Sequence, residues 1–402
     1  MKGKEDLLLK NLMDSMSDMI YFKDIDSRFI MMNKSSARWQ GFSRPDDSVG
    51  SSDFDRYQED DARRMLEEEQ RIVRTGEPMV GIEEQETRKN GQRMWVSTTK
   101  MPLKDGDGKI IGTFGISRDI TAHKEAEQRT ARYAEEVRRI KEEMEEEVRM
   151  AGELQKNFFP AGYPVFPEGA PEGEGCLEIL HRVALNRQVT GDYCSIMRLS
   201  ENEVGFFLCD VCGVGVRAAL GTALIRGIMQ EIASLGREPG AYLARMNELL
   251  APLLHQEGLL LDVTACYLVL DVGTGRIRLA NAGHPMPLLF RDGSAAQWLC
   301  EGTTCVGTPL AADPGAVYET VERQISPGDS LVLFTDGLYS TESNAADPYG
   351  KKRLIDSAHS LADEPLSDIF QGLEDDALAF SMNGKFSDDV CLVGFHLRKL
   401  ME

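Results

Sequence analysis

The chain has 402 residues, 42% of them hydrophobic, and a formal net charge of −21. At about 150 residues per domain it should form two or three domains, and its acidic balance excludes nucleic acids and anionic membranes as partners. It contains neither an apolar run of about 18 residues nor a secretory leader, so we expect a cytoplasmic protein.

The first unit, residues 1–121, has the pattern of an antiparallel sheet with short helices. Two strands are predicted at 19–24 and 28–33, and a charged helix at 58–75 ends at Gly76. Three more strands follow at 83–88, 92–101 and 109–119. This order, with the closing segment Gly115-Ile-Ser-Arg-Asp-Ile-Thr121, resembles a PAS domain and implies a sensor role for residues 1–121.

The ligand of this unit is unknown from the sequence. No histidine or cysteine precedes His123, so a histidine-ligated haem or a cysteine–flavin adduct is not expected. Trp39, Trp95 and Phe114 could line a small-molecule pocket, but aromatic residues more often fill the core, and we favour that interpretation.

Residues 122–158 are predicted to form one continuous helix. Small and apolar residues recur in alternating steps of four and three, at Ala126, Thr130, Tyr133, Val137, Ile140 and Met144. This spacing is typical of a left-handed coiled coil, so we expect a linker through which the chain forms a parallel homodimer. The alternative is a solvated single helix, which such a narrow apolar stripe would hardly stabilise.

Beyond residue 159, predicted strands and helices alternate. Strands are expected at 178–185, 193–200, 204–210, 262–271, 276–282, 331–335 and 390–396, and helices at 217–235 and 240–255. Four aspartates, Asp192, Asp210, Asp336 and Asp388, lie at the ends of these strands in glycine or turn settings. Each alone is an ordinary turn residue. If they converge, their oxygens suit a hard cation such as Mg²⁺ or Mn²⁺.

The segments around these aspartates also resemble a known family. The matching segments are Val189-Thr-Gly-Asp-Tyr193, Asp210-Val-Cys-Gly-Val-Gly-Val216, Asn281-Ala-Gly-His-Pro285, Pro327-Gly-Asp329, Phe334-Thr-Asp-Gly337 and Ser387-Asp-Asp-Val390. Together they resemble the SpoIIE/RsbU type of the protein phosphatase 2C-like superfamily. The resemblance implies an α+β protein whose residues 159–402 form an α-β-β-α sandwich, with the activity of a metal-dependent serine/threonine phosphatase.

The same resemblance implies a role for each site residue. Two divalent ions, Mn²⁺ or Mg²⁺, would be bridged by Asp210 and bound by the Val211 carbonyl, Asp336 and Asp388, while Asp192 holds water on a metal. The metals would activate the attacking water, and Asp389 would lie outside the ligand set. For His284 the sequence allows either a structural role or a catalytic or phosphate-contacting role.

The resemblance further implies a substrate, a phosphoserine or phosphothreonine on an anti-sigma-factor antagonist. The alternative is a catalytically silent scaffold that binds such a partner, against which the intact aspartates argue. The chain departs from the family pattern at Val214, Cys391 and Ser340, where His, Thr and Glu are usual. None of these three positions is an expected metal ligand.

Overall fold

The computed structural model describes residues 2–171, 173–256, 259–291, 293–300, 305–343 and 347–402. The chain divides into two compact units, Met1–Lys141 and Glu142–Glu402. Of the helices in these described ranges, none is both long enough and apolar enough to cross a lipid bilayer.

The first unit is a five-stranded antiparallel sheet with helices, as the sequence predicts. Its elements are α1 (Lys2–Ser15), β1 (Met19–Asp24), β2 (Phe29–Met32), α2 (Lys34–Gln40), α3 (Glu59–Thr75), β3 (Met79–Thr87), β4 (Arg93–Lys104) and β5 (Ile110–Asp119). The strand order is β2-β1-β5-β4-β3, so the last strand lies at the centre beside the first. Every predicted strand is present, and the largest extension is that of β3 towards its amino end.

Helix α3 is held to the sheet by one face. Ala62, Met65, Glu69 and Ile72 are its buried residues at three- and four-residue spacing, together with Asp61, and this is the stripe expected of a helix that packs on a sheet. The helix ends at Gly76, whose φ of 71° is the left-handed conformation that terminates helices. One member of the buried stripe, Glu69, is charged.

The buried charges surround a polar cavity of about 20 Å³, room for about one water molecule. Lys23, on β1, is 1% exposed and forms ion pairs with Asp53 and with Glu69, the latter at 2.6 Å. Glu86 and Lys100 also line the cavity. Burial raises the pKa of Glu86 to about 7.

The three candidate aromatic residues do not line this cavity. Trp39 is buried, and its Nε1 donates a hydrogen bond to the Tyr57 hydroxyl at 3.2 Å. Phe114 stacks on Phe22 with ring centroids 5.7 Å apart, and Trp95 is partly buried. Packing therefore accounts for these rings, and the lining of the cavity is charged instead.

We predict that Lys23→Met destabilises the first unit by about 3–5 kcal/mol, because it leaves two buried carboxylates without their cation. The measurement is urea unfolding followed by Trp39 and Trp95 fluorescence in a Trp298→Phe background. Arg63→Ala is the control, since it removes an exposed ion pair with Glu59 that is worth about 0.5 kcal/mol or less. Equal effects of the two substitutions would contradict the prediction.

The predicted linker helix is present as α4 (Thr121–Lys156), 36 residues long, which is ~54 Å at ~1.5 Å per residue. Tyr133, Val137, Ile140 and Met144 of the predicted coiled-coil seam are exposed, by 45–65%. The buried residues of α4 are Gly152 and Gln155, near its end.

The described residues of the second unit form two five-stranded sheets, one two-stranded sheet and their covering helices. Its elements are β6 (Leu177–Ala184), β7 (Asp192–Arg198), β8 (Glu203–Val211), α5 (Val216–Glu231), α6 (Pro239–Leu254), β9 (His255–Gln256), β10 (Leu259–Leu260), β11 (Val263–Asp271), β12 (Arg276–Ala282), β13 (Leu288–Phe290), β14 (Gln297–Trp298), β15 (Val321–Gln324), β16 (Ser330–Phe334), α7 (Gly337–Ser340), α8 (Gly350–Ser360), α9 (Leu366–Phe380) and β17 (Val390–Leu397). The sequence interpretation did not include β9, β10, β13–β15 or α7–α9.

The two larger sheets pack face to face between helical layers. One has the order β15-β12-β11-β8-β7 and the other β14-β13-β16-β17-β6. An apolar core that includes Phe206, Leu268 and Phe395 lies between the sheets. A second core joins the first sheet to α5 and α6, and a third joins the other sheet to α8 and α9. The expected α-β-β-α sandwich is confirmed.

Candidate metal centre

The pairing of β7 with β8 sets two aspartates opposite each other. Asp192 is the first residue of β7 and pairs in register with Asp210, the last but one residue of β8. Gly191 allows this close approach, because a Cβ at that position would lie 2.6 Å from the Val211 carbonyl oxygen and 3.2 Å from Asp210 Oδ1. A larger residue at 191 would push the start of β7 away from the end of β8.

Thr335 connects the first aspartate to the opposite sheet. This residue follows β16, and its Oγ1 donates a hydrogen bond to Asp192 Oδ2 at 2.7 Å. The same oxygen accepts a hydrogen bond from the Cys391 amide at 2.9 Å, so Thr335 joins β17 to the site as well. The next residue in the chain, Asp336, is exposed. We call the edge of the sandwich that carries Asp192, Asp210, Asp336, Asp388 and Asp389 the rim.

The remaining two aspartates precede β17. Asp388 Oδ1 accepts a hydrogen bond from the Asp389 amide at 2.8 Å, and Asp389 Oδ1 accepts one from the Asn186 amide at 2.6 Å. Gly337 brings this segment against the turn after β16, since a Cβ there would lie 1.9 Å from the Asp389 carbonyl oxygen. The Asp389 carboxylate is thus engaged with the loop that precedes β7.

The carboxylates raise one another's pKa values. Burial and then the charge of Asp210 raise the pKa of Asp192 well above its usual value. Burial, followed by Asp336 and Asp388, raises the pKa of Asp210 to about 7. Although Asp336 is exposed as a residue, desolvation of its carboxylate and then the charge of Asp388 raise its pKa. Like charges held this close favour either protonation or a bound cation.

The donor set fits a hard divalent cation in chemistry, since every candidate donor is an oxygen atom. Across the described ranges, no three His, Cys, Asp or Glu side chains are already grouped tightly enough to hold a metal ion. Asp192, Asp210, Asp336, Asp388 and the Val211 carbonyl are the groups that would hold the ions.

His284 is placed in the interior, behind the site. Its ring is buried, Nδ1 lies 2.9 Å from Thr264 Oγ1, and burial lowers its pKa to about 3. Thr264 pairs in register with Asp210. Asn281 holds the backbone of His284, accepting from its amide at 2.8 Å and donating to its carbonyl at 2.9 Å. The ring is neutral and contacts Thr264, which lies beside Asp210 on the neighbouring strand. A catalytic role for His284 stays a prediction.

The sequence interpretation did not single out the hydroxyl groups that organise the site. Thr190 and Thr335 each stand close to an expected ligand within the quoted segments, and both are buried. Thr190 Oγ1 accepts a hydrogen bond from the Asp192 amide at 2.9 Å. A threonine one or two residues before an expected metal ligand is the signal that the sequence already contains.

Comparisons with known proteins agree with this architecture. Residues 13–125 match the family model described as PAS fold, and residues 200–398 match that described as Stage II sporulation protein E (SpoIIE). The chain is 26% identical over 207 residues to phosphoserine phosphatase RsbP of Bacillus subtilis, covering 51% of this chain and 49% of RsbP. It is 22% identical over 240 residues to phosphoserine phosphatase RsbU of the same organism, covering 59% and 67%.

A solved structure shows the same fold for the second unit. The SiaA-PP2C domain of Pseudomonas aeruginosa aligns with a TM-score of 0.53 at 20% identity, covering 64% of this chain and 98% of that domain. The architecture is therefore a protein phosphatase 2C-like sandwich preceded by a PAS fold. The chain therefore joins a region that matches the PAS fold to a region that matches the SpoIIE family, and it spans about half the length of RsbP.

We predict that Gly337→Ala destabilises the second unit by about 1–3 kcal/mol, because the new methyl group overlaps the Asp389 carbonyl. The matched control is Gly227→Ala, which adds the same methyl group to α5 where no atom beyond the local helix backbone lies within 4 Å. That change should stabilise by about 0.5–1 kcal/mol. Urea unfolding followed by Trp298 fluorescence measures both, in a background where Trp39 and Trp95 are replaced by Phe. Equal midpoints would contradict the expected contact.

Proposed function

We propose that the chain is a PAS-regulated, metal-dependent protein phosphatase that hydrolyses phosphoserine or phosphothreonine. The observation that carries this proposal is the rim of mutually repelling carboxylates, in which Asp210 faces Asp192 and is influenced by Asp336 and Asp388. A binding scaffold has no use for such a cluster, since it costs stability without a cation. The SpoIIE-type fold supports the same reaction class.

Two divalent ions, Mn²⁺ or Mg²⁺, are the proposed cofactors, and Asp192, Asp210, Asp336, Asp388 and the Val211 carbonyl would hold them. When bound, such ions lower the pKa of a water molecule and neutralise the phosphate oxygens. The chain's own groups would orient the ligands: Thr335 fixes one oxygen of Asp192, and Gly191 lets Asp210 stand close to it. His284 is proposed to support Asp210 through Thr264, one strand away.

The proposed partner is a phosphorylated anti-sigma-factor antagonist, a class that the family resemblance implies. RsbP and RsbU are both named as phosphoserine phosphatases. A protein substrate also agrees with a strongly acidic chain, since bound cations would reverse the charge of the rim locally.

We predict that Asp210→Asn abolishes Mn²⁺-dependent hydrolysis of p-nitrophenyl phosphate, because it removes the central carboxylate. The variant should stay folded and should be at least as thermally stable as the metal-free wild type, since one repelling charge is gone. The rise in melting temperature that Mn²⁺ causes in the wild type should disappear. An excess of chelator should remove the activity of the wild type.

The control is Asp368→Asn, which makes the same change in charge at an exposed position in the first turn of α9. It should retain both the activity and the thermal response to Mn²⁺. Full activity of Asp210→Asn, or of the wild type in excess chelator, would overturn the two-metal proposal. Binding of the phosphorylated partner without hydrolysis would favour the scaffold instead.

A homodimer through α4 is the proposed assembly. The exposed residues Tyr133, Val137, Ile140 and Met144 lie at the heptad spacing of a two-stranded coiled coil. Charged neighbours such as Glu135 and Arg138 pair within the helix, at 2.6 Å in this case. A second copy would cover the seam, and α4 would then carry a change from the PAS domain towards the phosphatase domain.

We predict that Val137→Glu with Ile140→Glu converts a dimer into a monomer, because both charges would be buried at the seam. Light scattering coupled to size exclusion gives the mass. The matched control is Gln128→Glu with Ala131→Glu, which adds the same two charges on other faces of α4, at exposed positions. A wild type that is monomeric at micromolar concentration would contradict the dimer.

A further inference from the structure

The last turns of α4 are built into the phosphatase domain. Gly152 and Gln155 are the buried residues of this otherwise exposed helix. A Cβ at Gly152 would lie 2.1 Å from the Gln188 carbonyl oxygen, so only glycine lets the helix approach the loop before β7 this closely. The approach brings the side chain of Gln155 into the interior, where it is 6% exposed.

The Gln155 amide binds the loop as a neighbouring strand would. Its Nε2 donates to the Thr190 carbonyl oxygen at 2.7 Å, and its Oε1 accepts from the Thr190 amide at 3.0 Å. Both backbone groups of Thr190 are therefore paired with one side chain. Because such groups are costly to leave unpaired in the interior, this contact fixes the position of Thr190.

Thr190 in turn holds one of the rim aspartates. Its Oγ1 accepts a hydrogen bond from the Asp192 amide at 2.9 Å. A single chain of hydrogen bonds thus runs from the linker helix through Thr190 to the start of β7. The Gln155 Nε2 also donates to Thr222 Oγ1 on α5 at 3.0 Å.

We propose that Gln155 is a positioning residue that sets the place of the Asp192 carboxylate and thereby the metal affinity of the site. The inference rests on the proposed function only in assigning the rim to metal ions. It gives α4 a specific point of action, because Gln155 in its last turn is joined to Asp192 through Thr190.

The test compares the full-length wild type with Gln155→Met, which keeps the length of the side chain but removes its amide. Mn²⁺ affinity is measured by calorimetry without substrate, and hydrogen exchange of residues 188–193 is measured by mass spectrometry without metal. Groups that orient metal ligands typically contribute about 10–100-fold to affinity. We expect a loss of that size in Gln155→Met, together with faster exchange at residues 190–192.

Two further variants distinguish the contact of Gln155 with Thr190 from its contact with Thr222 and from a general effect of the substitution. Gln128→Met makes the same substitution at an exposed position of α4 and should match the wild type in both measurements. Thr222→Val removes the hydroxyl on α5 but leaves both Thr190 contacts, so its loss of affinity should be smaller than that of Gln155→Met. Activity, where present, should recover at saturating Mn²⁺ in Gln155→Met, as expected of weakened metal binding rather than lost chemistry.

Unchanged affinity and unchanged exchange in folded Gln155→Met would overturn the inference, as would an equal loss in Thr222→Val. A wild type that binds Mn²⁺ but hydrolyses no phosphomonoester would count against the proposed function alone, because both readouts remain interpretable. If the wild type bound no Mn²⁺, the exchange measurement would still decide whether Gln155 holds Thr190 and Asp192 in place.

Discussion

The register between β7 and β8 is the constraint on which the site depends. It sets Asp192 opposite Asp210, although like charges directly opposite each other destabilise a sheet. A slip of one residue would turn one carboxylate to the other face. The contacts around the pair oppose both separation of the strands and a slip in register. Thr335 holds Asp192 from the second sheet, and Gly191 keeps β7 close to β8. The sandwich thus maintains a geometry that its own charges oppose.

The two units differ in whether their buried carboxylates are paired with a cation of the protein. In the PAS domain, Lys23 forms ion pairs with Asp53 and Glu69, and Lys100 forms one with Glu68, so cations of the protein itself lie beside these carboxylates. At the rim of the phosphatase domain, Asp210 has carboxylates as its electrostatic neighbours, and its pKa rises to about 7. The ion pairs of Lys23 stabilise the fold of the first unit. The carboxylates around Asp210 repel one another and would be stabilised by a bound cation. This contrast, rather than the number of acidic residues, distinguishes a structural cluster from a candidate site.

The sequence was sufficient to predict what depends on local pattern. The PAS strands, the long helix and the strand ends that carry Asp192 and Asp210 follow from periodicity and turns. Pairings between distant segments could not be predicted in this way. Lys23 shares a strand face with Met19 and Tyr21, but its partners lie 30 and 46 residues away. His284 likewise stands at a strand end in the sequence, whereas its burial and its contact with Thr264 arise only from tertiary packing.

The last turn of α4 packs within the second unit, and this has a consequence for exchanging the domain that precedes it. Because Gly152 and Gln155 pack against the loop before β7, these residues belong to the second unit even though they continue a helix that begins at the end of the PAS sheet. A fragment that started at residue 159 would lack them and would expose the backbone of Thr190. Another amino-terminal domain could therefore be joined to the second unit with these contacts preserved only at a junction upstream of Met150.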